Sequence, residues 1–267
     1  METEFFKYSG SGNDFVILDT QKIKKAPSKQ DIKDLCHRRF GVGADGVILV
    51  GASKEEDFSM RIFNSDGGEA EMCGNGARCS IHYYHYHVSN QLKTKYQFNT
   101  MNGTYSGEVL GEDLIQIKMT ELYDLEKYDV NDLSGLKAMY LNTGVPHTVI
   151  QVTNVDDVSV NSVGRAIRFD KRFEGGSNVC FFHVEGDQTI KLRVYERGVE
   201  AETLCCGTGV MASAVASSKF FNWSGAIKVS TKGGDLLTKV DKDLSHLYFI
   251  GDVRLVFRGQ YIDAKAN

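Results

Sequence analysis

Two cysteines in this chain of 267 residues stand in the same local pattern. Cys73 opens the segment Cys-Gly-Asn-Gly, and Cys206 opens the segment Cys-Gly-Thr-Gly. Each segment precedes a stretch with few strand-forming residues and no proline, which predicts that a helix begins there. The first turn of a helix offers unpaired N–H groups and a positive dipole end, which bind a carboxylate and lower the pKa of a thiol to roughly 3.5–7.5 in favourable cases.

A pair of thiols in this setting predicts proton transfer at carbon. Removing an α-proton from one face and returning a proton to the other face requires one acid/base group on each side. One thiol must be deprotonated while the other carries its proton. Two helix N-termini would stabilise the charge that develops when the carbon is deprotonated. The pattern therefore predicts stereoinversion of an amino acid by Cys73 and Cys206, which are expected to meet across a cleft between two domains.

The two cysteines lie at equivalent positions of an internal repeat. Placing Gly12 over Gly144, an offset of 132 residues, aligns the first half of the chain with the second half. The further aligned blocks keep the same order, with one inserted residue before the last of them: Asp45–Leu49 over Ser177–Phe181, Met60–Asn64 over Leu192–Glu196, and Glu69–Gly76 over Glu202–Gly209. The repeat predicts two similar domains, residues 1–119 and 120–251, and a strand near residues 252–267 that is expected to return to the first domain.

Short runs rich in β-branched or aromatic residues predict strands in both halves. Phe15–Leu18 and Val47–Val50 are such runs in the first half, and Thr148–Val152 is one in the second. Helices are predicted from Gly76 to about residue 88 and from Gly209 to about residue 220, the second buried because alanine and serine dominate it. The predicted fold class is α+β, with two pseudo-symmetric domains that each wrap a mostly antiparallel β-sheet around a central helix.

The composition favours a cytoplasmic protein and argues against several classes of partner. A net charge of −4 and a pI near 6.0 give no basic field for nucleic acid or an anionic membrane surface. The N-terminal residues lack the features of a signal peptide, and no apolar stretch approaches the length of a membrane span. Reduced thiols are expected in such a chain, and four of them are interpreted as packing residues: Cys36, Cys79, Cys180 and Cys205.

The motifs together resemble those of diaminopimelate epimerases over nearly the whole chain. The resemblance rests on five segments: Ser9–Phe15, Phe63–Gly67, Cys73–Cys79, Glu196–Gly198 and Cys206–Gly209. Enzymes of this family interconvert LL- and meso-diaminopimelate on the route to lysine and peptidoglycan. The resemblance implies an epimerase that needs neither pyridoxal phosphate nor a metal ion, acts on a small amino-acid substrate and forms a homodimer.

The resemblance also implies a role for each residue of the site. Cys73 and Cys206 match the catalytic cysteines. The groups that hold the reacting carboxylate at the helix starts are matched by Gly74, Asn75, Gly207 and Thr208. Further substrate-binding positions are matched by Asn13, Asn64, Asn178, Glu196 and Arg197. Arg197 is expected to bind the distal carboxylate bidentately, whereas His147 and Glu196 are expected to tune the thiol pKa values or to bind the substrate's ammonium group.

Three features depart from the common pattern of the family. Val145 stands where the family often has asparagine, and Gly46 stands where many members have glutamine. The loop from Glu196 to Cys206 carries one extra residue. The first two changes remove polar side chains from positions expected to touch the distal end of the substrate. The sequence therefore predicts the reaction type more firmly than the identity of the substrate.

Other functions stay open on the sequence. The same mechanism could act on another amino acid, as in proline racemases and hydroxyproline epimerases. The six thiols could instead serve a redox or zinc-binding protein, or the chain could be a scaffold without catalysis. No metal site is predicted, because the histidines within His82–His87 lack accompanying acidic or cysteine ligands.

Overall fold

The computed structural model describes residues 2–119, 122, 124–125 and 136–262. The chain divides into two compact units, of which unit 1 contains residues 1–117 and 251–267 and unit 2 contains residues 118–250. The α-helices of the described residues are α1 (Lys29–Cys36), α2 (Gly74–Tyr83), α3 (Val160–Arg168) and α4 (Gly207–Phe221). A π-helical turn, Tyr84–Val88, extends α2, and a 3-10 turn covers Val155–Asp157.

The strands are numbered in chain order. In the first part of the chain they are β1 (Glu2–Gly10), β2 (Asn13–Asp19), β3 (Gly46–Gly51), β4 (Phe58–Asn64), β5 (Glu69–Ala70), β6 (Lys95–Thr100), β7 (Gly103–Val109) and β8 (Leu114–Lys118). After these come β9 (Ala138–Asn142), β10 (Pro146–Gln151), β11 (Asn178–Gly186), β12 (Thr189–Glu196), β13 (Ala201–Thr203), β14 (Gly225–Thr231), β15 (Gly234–Val240), β16 (Leu247–Asp252) and β17 (Arg254–Ile262).

The sheet of unit 1 is mostly antiparallel. Its strands pair in the order β17, β1, β2, β3, β4, β6 and β7, and β5 also pairs with β4. The β2–β3 and β4–β6 pairs are parallel, and the other pairs in this order are antiparallel. The chain returns for β17 after unit 2, and β17 pairs along most of its length with β1.

Each face of the unit 1 sheet packs against a different helix. Val16 and Val47 pack with Ile32 of α1 in one apolar cluster. The next residues along the two strands alternate to the opposite face, where Ile48 lies against the start of α2. This period-2 alternation explains why the strand runs of the sequence are apolar throughout, since both faces are buried.

Unit 2 repeats the same pairing pattern. β9, β10, β11, β12, β14, β15 and β16 follow one another in the sheet, with parallel β10–β11 and β12–β14 pairs and with β13 paired to β12. Helix α4 packs in the apolar cluster of one face, and residues near and within α3 pack in that of the other. The predicted fold class is thus confirmed, with an additional outer helix in each unit that the sequence patterns did not predict.

The buried helix of unit 2 agrees with its composition. Residues 209–218 of α4 are buried, as the alanine- and serine-rich sequence predicts. Helix α2 begins at Gly74 rather than at Gly76, so the first glycine after the cysteine already belongs to the helix. Among the described helices, none combines the length and apolar character that crossing a bilayer requires.

Candidate active site

The predicted catalytic cysteines occupy equivalent places, each in its own unit. Cys73 is the N-cap residue of α2, with φ −143° and ψ 119°, and Cys206 is the N-cap residue of α4, with φ −117° and ψ 109°. Both have the extended backbone that an N-cap residue adopts, so each side chain lies beside the free N–H groups of a first helical turn. The predicted carboxylate-holding residues Gly74–Asn75 and Gly207–Thr208 form these first turns.

In unit 1, Asn13 lies beside the thiol of Cys73. The Cys73 Sγ is 3.7 Å from Asn13 Oδ1, within reach for the thiol to donate a weak hydrogen bond. The same oxygen accepts a hydrogen bond of 3.4 Å from Asn75 Nδ2. Asn75 is buried, and its own Oδ1 has no hydrogen-bond partner among the described residues. Three of the predicted site residues are therefore brought together in unit 1.

A tight hairpin brings Asn13 to this place. Gly10 and Asn13 form the last pair of the β1–β2 ladder, and Ser11 and Gly12 between them have φ values of 52° and 80°. Two consecutive positive φ values characterise a type I′ turn, which matches the twist of a two-residue hairpin. Arg78 of α2 donates a hydrogen bond of 2.8 Å from Nη2 to Ser11 Oγ, which fixes the hairpin tip against the helix.

Beside Asn13 lies a cluster of charged residues that the sequence did not assign to the site. Arg38 donates two hydrogen bonds to the carboxylate of Asp14, at 3.0 and 2.8 Å, and one to Asp45 Oδ1 at 2.7 Å. The buried Lys7 donates to Asp14 Oδ2 at 2.6 Å and also to the carbonyl oxygen of Gly43. Burial acts to raise the pKa of Asp14, but the hydrogen bonds and charges of Arg38 and Lys7 outweigh it and lower that pKa.

In unit 2, the thiol of Cys206 is almost fully buried, with 8% of the residue exposed. Burial raises the pKa of this thiol well above its ordinary value, and the negative charge of Glu196 raises it further. The Thr208 hydroxyl, 3.4 Å from the sulfur, and the backbone N–H of Gly209 act in the opposite direction. The first turn of the helix thus acts in the expected direction, but desolvation outweighs it, and the net pKa of Cys206 is raised rather than lowered.

Glu196, one of the two residues predicted to tune the thiol pKa values, affects the pKa of Cys206 in unit 2. It ends β12, and its Oε2 accepts a hydrogen bond of 2.9 Å from Thr203 Oγ1 across the β12–β13 pair. Its negative charge stabilises the protonated form of Cys206. The hydrogen bond to Thr203 holds the carboxylate by a neutral hydroxyl, which leaves its charge in place.

His147 contacts a different thiol, that of Cys180. The His147 Nδ1 lies 3.5 Å from Cys180 Sγ, and both residues are fully buried. Burial, aided by the charge of Arg197, lowers the pKa of His147 to about 3, so the imidazole is neutral at physiological pH. Its Nε2 has no hydrogen-bond partner within the described part of the chain.

Cys180 packs in the core of unit 2, yet it is also a neighbour of the predicted site. A Cβ placed on Gly209 would lie 3.1 Å from Cys180 Sγ and 3.4 Å from Cys206 Sγ, so both sulfur atoms adjoin the first turn of α4. Burial raises the pKa of Cys180 to about 12. The interpretation of Cys180 as a packing residue agrees with its place in the core cluster of unit 2, where its sulfur also adjoins the first turn of α4.

Asn178 joins the backbone of Pro146 to the backbone of Arg197 by hydrogen bonds. Its Nδ2 donates to the carbonyl oxygen of Pro146 at 3.1 Å, and its Oδ1 accepts from the backbone N–H of Arg197 at 2.8 Å. The guanidinium of Arg197 lies 3.4 and 3.5 Å from the carbonyl oxygens of Gly175 and Gly176. The side chain of Asn178 thus fixes the backbone from which Arg197 extends.

The loop from Glu196 to Cys206, which carries one extra residue, is held in place through Glu200. Glu200 adopts a positive φ of 57°. Its carboxylate accepts hydrogen bonds from the Gly198 N–H at 3.1 Å, Tyr195 Oη at 3.3 Å and Arg168 Nε at 3.2 Å. Arg168 also donates to the Gly175 carbonyl at 3.3 Å. The longer loop is therefore tied to the same glycine segment that Arg197 approaches.

The remaining predicted or unusual positions lie at strand ends. Asn64 is exposed at the end of β4, opposite Gly46 in the β3–β4 ladder. A Cβ on Gly46 would come within 2.5 Å of the Phe63 carbonyl oxygen, so a larger residue at position 46 requires the backbone to move. Val145 is half-buried in the turn that enters β10. The local backbone of unit 1 therefore explains the glycine at position 46.

The charged and thiol groups of the described residues show no metal-ligand arrangement. No group of three or more His, Cys, Asp or Glu side chains among them is placed to hold a metal ion. All six cysteines lie in the described part of the chain, and no disulfide joins any of them.

Comparison with known proteins gives one family for both units. The family model described as diaminopimelate epimerase matches residues 5–123 and 139–256. The chain is 39% identical over 272 residues to a diaminopimelate epimerase of Aquifex aeolicus, covering 96% of this chain and 97% of the relative. It is 38% identical over 274 residues to a diaminopimelate epimerase of Methanocella arvoryzae, covering 96% of each.

Solved structures resemble the fold at much lower identity. A phenazine biosynthesis protein of the PhzF family from Bacillus anthracis has a TM-score of 0.76 at 15% identity and covers 98% of this chain and 100% of its own. A probable proline racemase from Agrobacterium radiobacter has a TM-score of 0.70 at 12% identity and covers 99% and 94%. These similarities show the fold and carry no argument about the substrate.

Proposed function

The chain belongs to the diaminopimelate epimerase family and is an isomerase, and on this premise we propose that it inverts the α-carbon of LL-2,6-diaminopimelate to give the meso form. The proposed mechanism uses Cys73 and Cys206 as the two acid/base groups and needs no pyridoxal phosphate. The single observation that carries the proposal is that each cysteine is the N-cap of the central helix of its unit. A thiol and a set of free N–H donors are thereby presented together twice.

The helix starts supply N–H donors for the negative charge that forms when the α-carbon is deprotonated. Loss of the α-proton spreads negative charge onto the substrate's carboxylate, and N–H groups fixed beforehand stabilise that charge without reorganising. Gly74 and Gly207 leave the first turns without side chains that would block a carboxylate. We assign the carboxylate to these turns and the α-proton to the adjacent thiols.

The surroundings of Cys206 favour its protonated form in the free enzyme. Burial and the carboxylate of Glu196 keep this thiol protonated, so it acts as the acid that returns a proton to the carbon. The reaction then requires Cys73 as the thiolate that removes the α-proton, and the roles exchange in the reverse direction.

The distal end of the substrate is assigned to unit 2 residues. Arg197 carries the fork of donors that matches a carboxylate, and weak contacts of 3.4 and 3.5 Å to two carbonyls leave it able to exchange partners. Asn178 holds the Arg197 backbone in place. We propose that Arg197 binds the distal carboxylate of diaminopimelate.

The test is solvent deuterium exchange. The purified protein, under reducing conditions in deuterated water, is incubated with LL-diaminopimelate and, in separate reactions, with proline, hydroxyproline, lysine and glutamate. Entry of deuterium at the α-carbon with inversion of diaminopimelate alone supports the proposal. Equal or faster inversion of another amino acid would show that Val145 and Gly46 accompany a different substrate.

Two cysteine variants test the mechanism separately from the substrate. Cys73→Ala and Cys206→Ala are each expected to abolish inversion, while Cys36→Ala, which changes a thiol in the outer core of unit 1, keeps it. Variants that both match the wild-type rate would contradict the thiol mechanism for any substrate. A thiol redox or zinc-binding function predicts instead that the purified protein retains stoichiometric zinc or cycles a disulfide without inverting any amino acid.

Mild oxidation provides a further measurement. If both thiols reach one α-carbon, an oxidant should link Cys73 to Cys206 and abolish activity, and a reductant should restore it. Peptide mapping that finds other cysteine pairs but never this one would contradict the proposed geometry.

A further inference from the structure

The side-chain amide of Asn13 lies between a carboxylate and a thiol. Its Nδ2 donates a hydrogen bond of 2.8 Å to Asp45 Oδ2, and its Oδ1 lies 3.7 Å from the Cys73 sulfur. The amide is a fixed unit in which the nitrogen and oxygen lie on opposite branches. Whatever fixes the nitrogen therefore decides which atom faces the thiol.

Asp45 can fix the orientation of the Asn13 amide because an ionised carboxylate only accepts hydrogen bonds. The Nδ2 of Asn13 is attracted to Asp45, whereas a flipped amide would place Oδ1 against a negative carboxylate oxygen. On the other branch, Oδ1 accepts a hydrogen bond from Asn75 Nδ2 at 3.4 Å. The Oδ1 of Asn75 has no hydrogen-bond partner among the described residues, so the Asn75 amide can turn with that of Asn13, and Asp45 is the neighbour that fixes the orientation.

Asp45 is itself held by its neighbours. Its Oδ2 also accepts the backbone N–H of Asp14 at 3.2 Å, and its Oδ1 accepts from Arg38 at 2.7 Å. Its backbone N–H donates to Asp14 Oδ1 at 3.0 Å. Arg38 joins the two carboxylates, and the buried Lys7 holds Asp14 from the other side. The carboxylate beside Asn13 thus has a set position although its side chain is 46% exposed.

We infer that Asp45 is a positioning residue of the site, which fixes the amide of Asn13 so that its oxygen and not its nitrogen faces the Cys73 thiol. The inference rests on the proposed role of Cys73 in proton transfer. An oxygen acceptor stabilises the S–H form as a donor, and an N–H donor would instead stabilise the thiolate. Asp45 therefore sets how readily Cys73 keeps its proton when its turn comes to act as the acid.

The repeat provides an internal contrast. Val145 occupies the place equivalent to Asn13, and Ser177 the place equivalent to Asp45, so unit 2 offers neither this amide nor this carboxylate. There the hydroxyl of Thr208 lies beside the thiol instead, at 3.4 Å from Cys206 Sγ. A change at Asp45 should consequently affect Cys73 and leave Cys206 unaltered.

The test is the pH dependence of alkylation of each cysteine by iodoacetamide, read by mass spectrometry of the full-length protein. Asp45→Asn should allow the amide to turn its N–H toward Cys73, and the alkylation curve of Cys73 should move to lower pH. The expected gain in rate on the acidic side is about threefold or more, equivalent to about half a pKa unit. The curve for Cys206 should not move.

A matched control separates this effect from loss of any surface ion pair. Asp235 pairs with Lys228 at 2.6 Å, much as Asp45 pairs with Arg38, but it lies on β15. Asp235→Asn should leave both alkylation curves and the inversion rate unchanged. A shift for Cys73 in Asp235→Asn equal to that in Asp45→Asn would overturn the inference.

A double variant tests whether the effect passes through Asn13. In an Asn13→Leu background no amide is present to flip, so adding Asp45→Asn should cause no further shift of the Cys73 curve. An undiminished shift in that background would show that Asp45 acts directly by its charge, and the positioning role would be wrong.

Two further measurements keep the outcome decisive. If Asp45→Asn fails to fold, the wild-type side-chain NH2 resonance of Asn13 still reports the contact, since a hydrogen bond to a carboxylate moves it downfield of a solvated amide; a resonance at the solvated position contradicts the inference. With meso-diaminopimelate, for which Cys73 acts as the acid, Asp45→Asn should change kcat by about threefold, equivalent to about half a pKa unit, with KM within about twofold. A wild-type enzyme that inverts no amino acid would refute the proposed function, whereas the alkylation curves would still decide the role of Asp45.

Discussion

Cys73 and Cys206 begin equivalent helices, but their surroundings differ in exposure and in polar neighbours. Cys73 is half-buried beside the amide of Asn13, whose other end is fixed by a charged cluster. Cys206 is buried beside a hydroxyl, a carboxylate and a second thiol, that of Cys180. A duplicated fold has thus kept the backbone position of the thiol and changed what controls its proton.

This difference matches the proposed mechanism, which needs one cysteine as the thiol and the other as the thiolate. Two thiols in identical surroundings would hold their protons equally well, and half of the molecules would carry the wrong combination. Burial at Cys206 favours the thiol there. In the proposed mechanism, the asymmetry would favour the combination in which Cys206 carries the proton before substrate binds.

Replacement of either thiol is expected to have the largest effect. Cys73→Ser and Cys206→Ser should each lower the inversion rate by roughly 10²–10⁴-fold, because a serine hydroxyl is a far weaker acid than a thiol. With one thiol left, exchange of the α-deuteron should persist for only one stereoisomer of the substrate. Measuring that exchange for each variant would assign a stereoisomer to each thiol, and equal exchange of both isomers would contradict two separate roles.

Alkylation should distinguish the two thiols in the wild-type protein. Iodoacetamide at pH 8 should modify Cys73 at least about tenfold faster than Cys206, since the latter is buried and its raised pKa leaves little thiolate. Peptide mass spectrometry over time gives both rates in one sample. Comparable rates would mean that the environment of Cys206 is more open than the structure shows.

Glu196→Gln should reduce the difference between the thiols. The amide keeps an acceptor for Thr203 but removes the negative charge that raises the pKa of Cys206. The alkylation rate of Cys206 at pH 8 is expected to rise roughly threefold, equivalent to about half a pKa unit, with Cys73 unchanged. As a control, Glu202→Gln removes a carboxylate that pairs with Arg193 and should not alter either rate.

His147 affects neither thiol's alkylation rate but the stability of unit 2 toward acid. Its pKa is lowered to about 3 in the folded protein, below its ordinary value of about 6.5 in an unfolded chain. The unfolded state therefore binds the proton more tightly, and the free energy of unfolding should fall as the pH drops from 6.5 toward 3. His147→Asn should flatten that slope in chemical unfolding experiments, whereas the exposed His246→Asn should retain it.

Much of the architecture could be predicted from local sequence. The apolar runs that became β2, β3 and β10 have the length and composition of strands buried on two faces. Helix α4 was predictable because alanine and serine leave it small enough to pack on all sides. The outer helices α1 and α3 were not predicted, although both carry local signals: Ser28 and Asp31 form a capping box at the start of α1, and Val160, Val163 and Ile167 of α3 recur at helical spacing.

The sequence by itself determined the repeat, the place of each cysteine before a helix and the family to which the chain belongs. These follow from residue order, because a glycine-rich segment before a helix-forming stretch specifies a helix start wherever the chain then goes. Only the tertiary structure decided the protonation of Cys206, the pairing of His147 with Cys180 and the position of Asp45 beside Asn13. Those properties depend on burial and on contacts between residues far apart in the chain, which local sequence patterns do not specify.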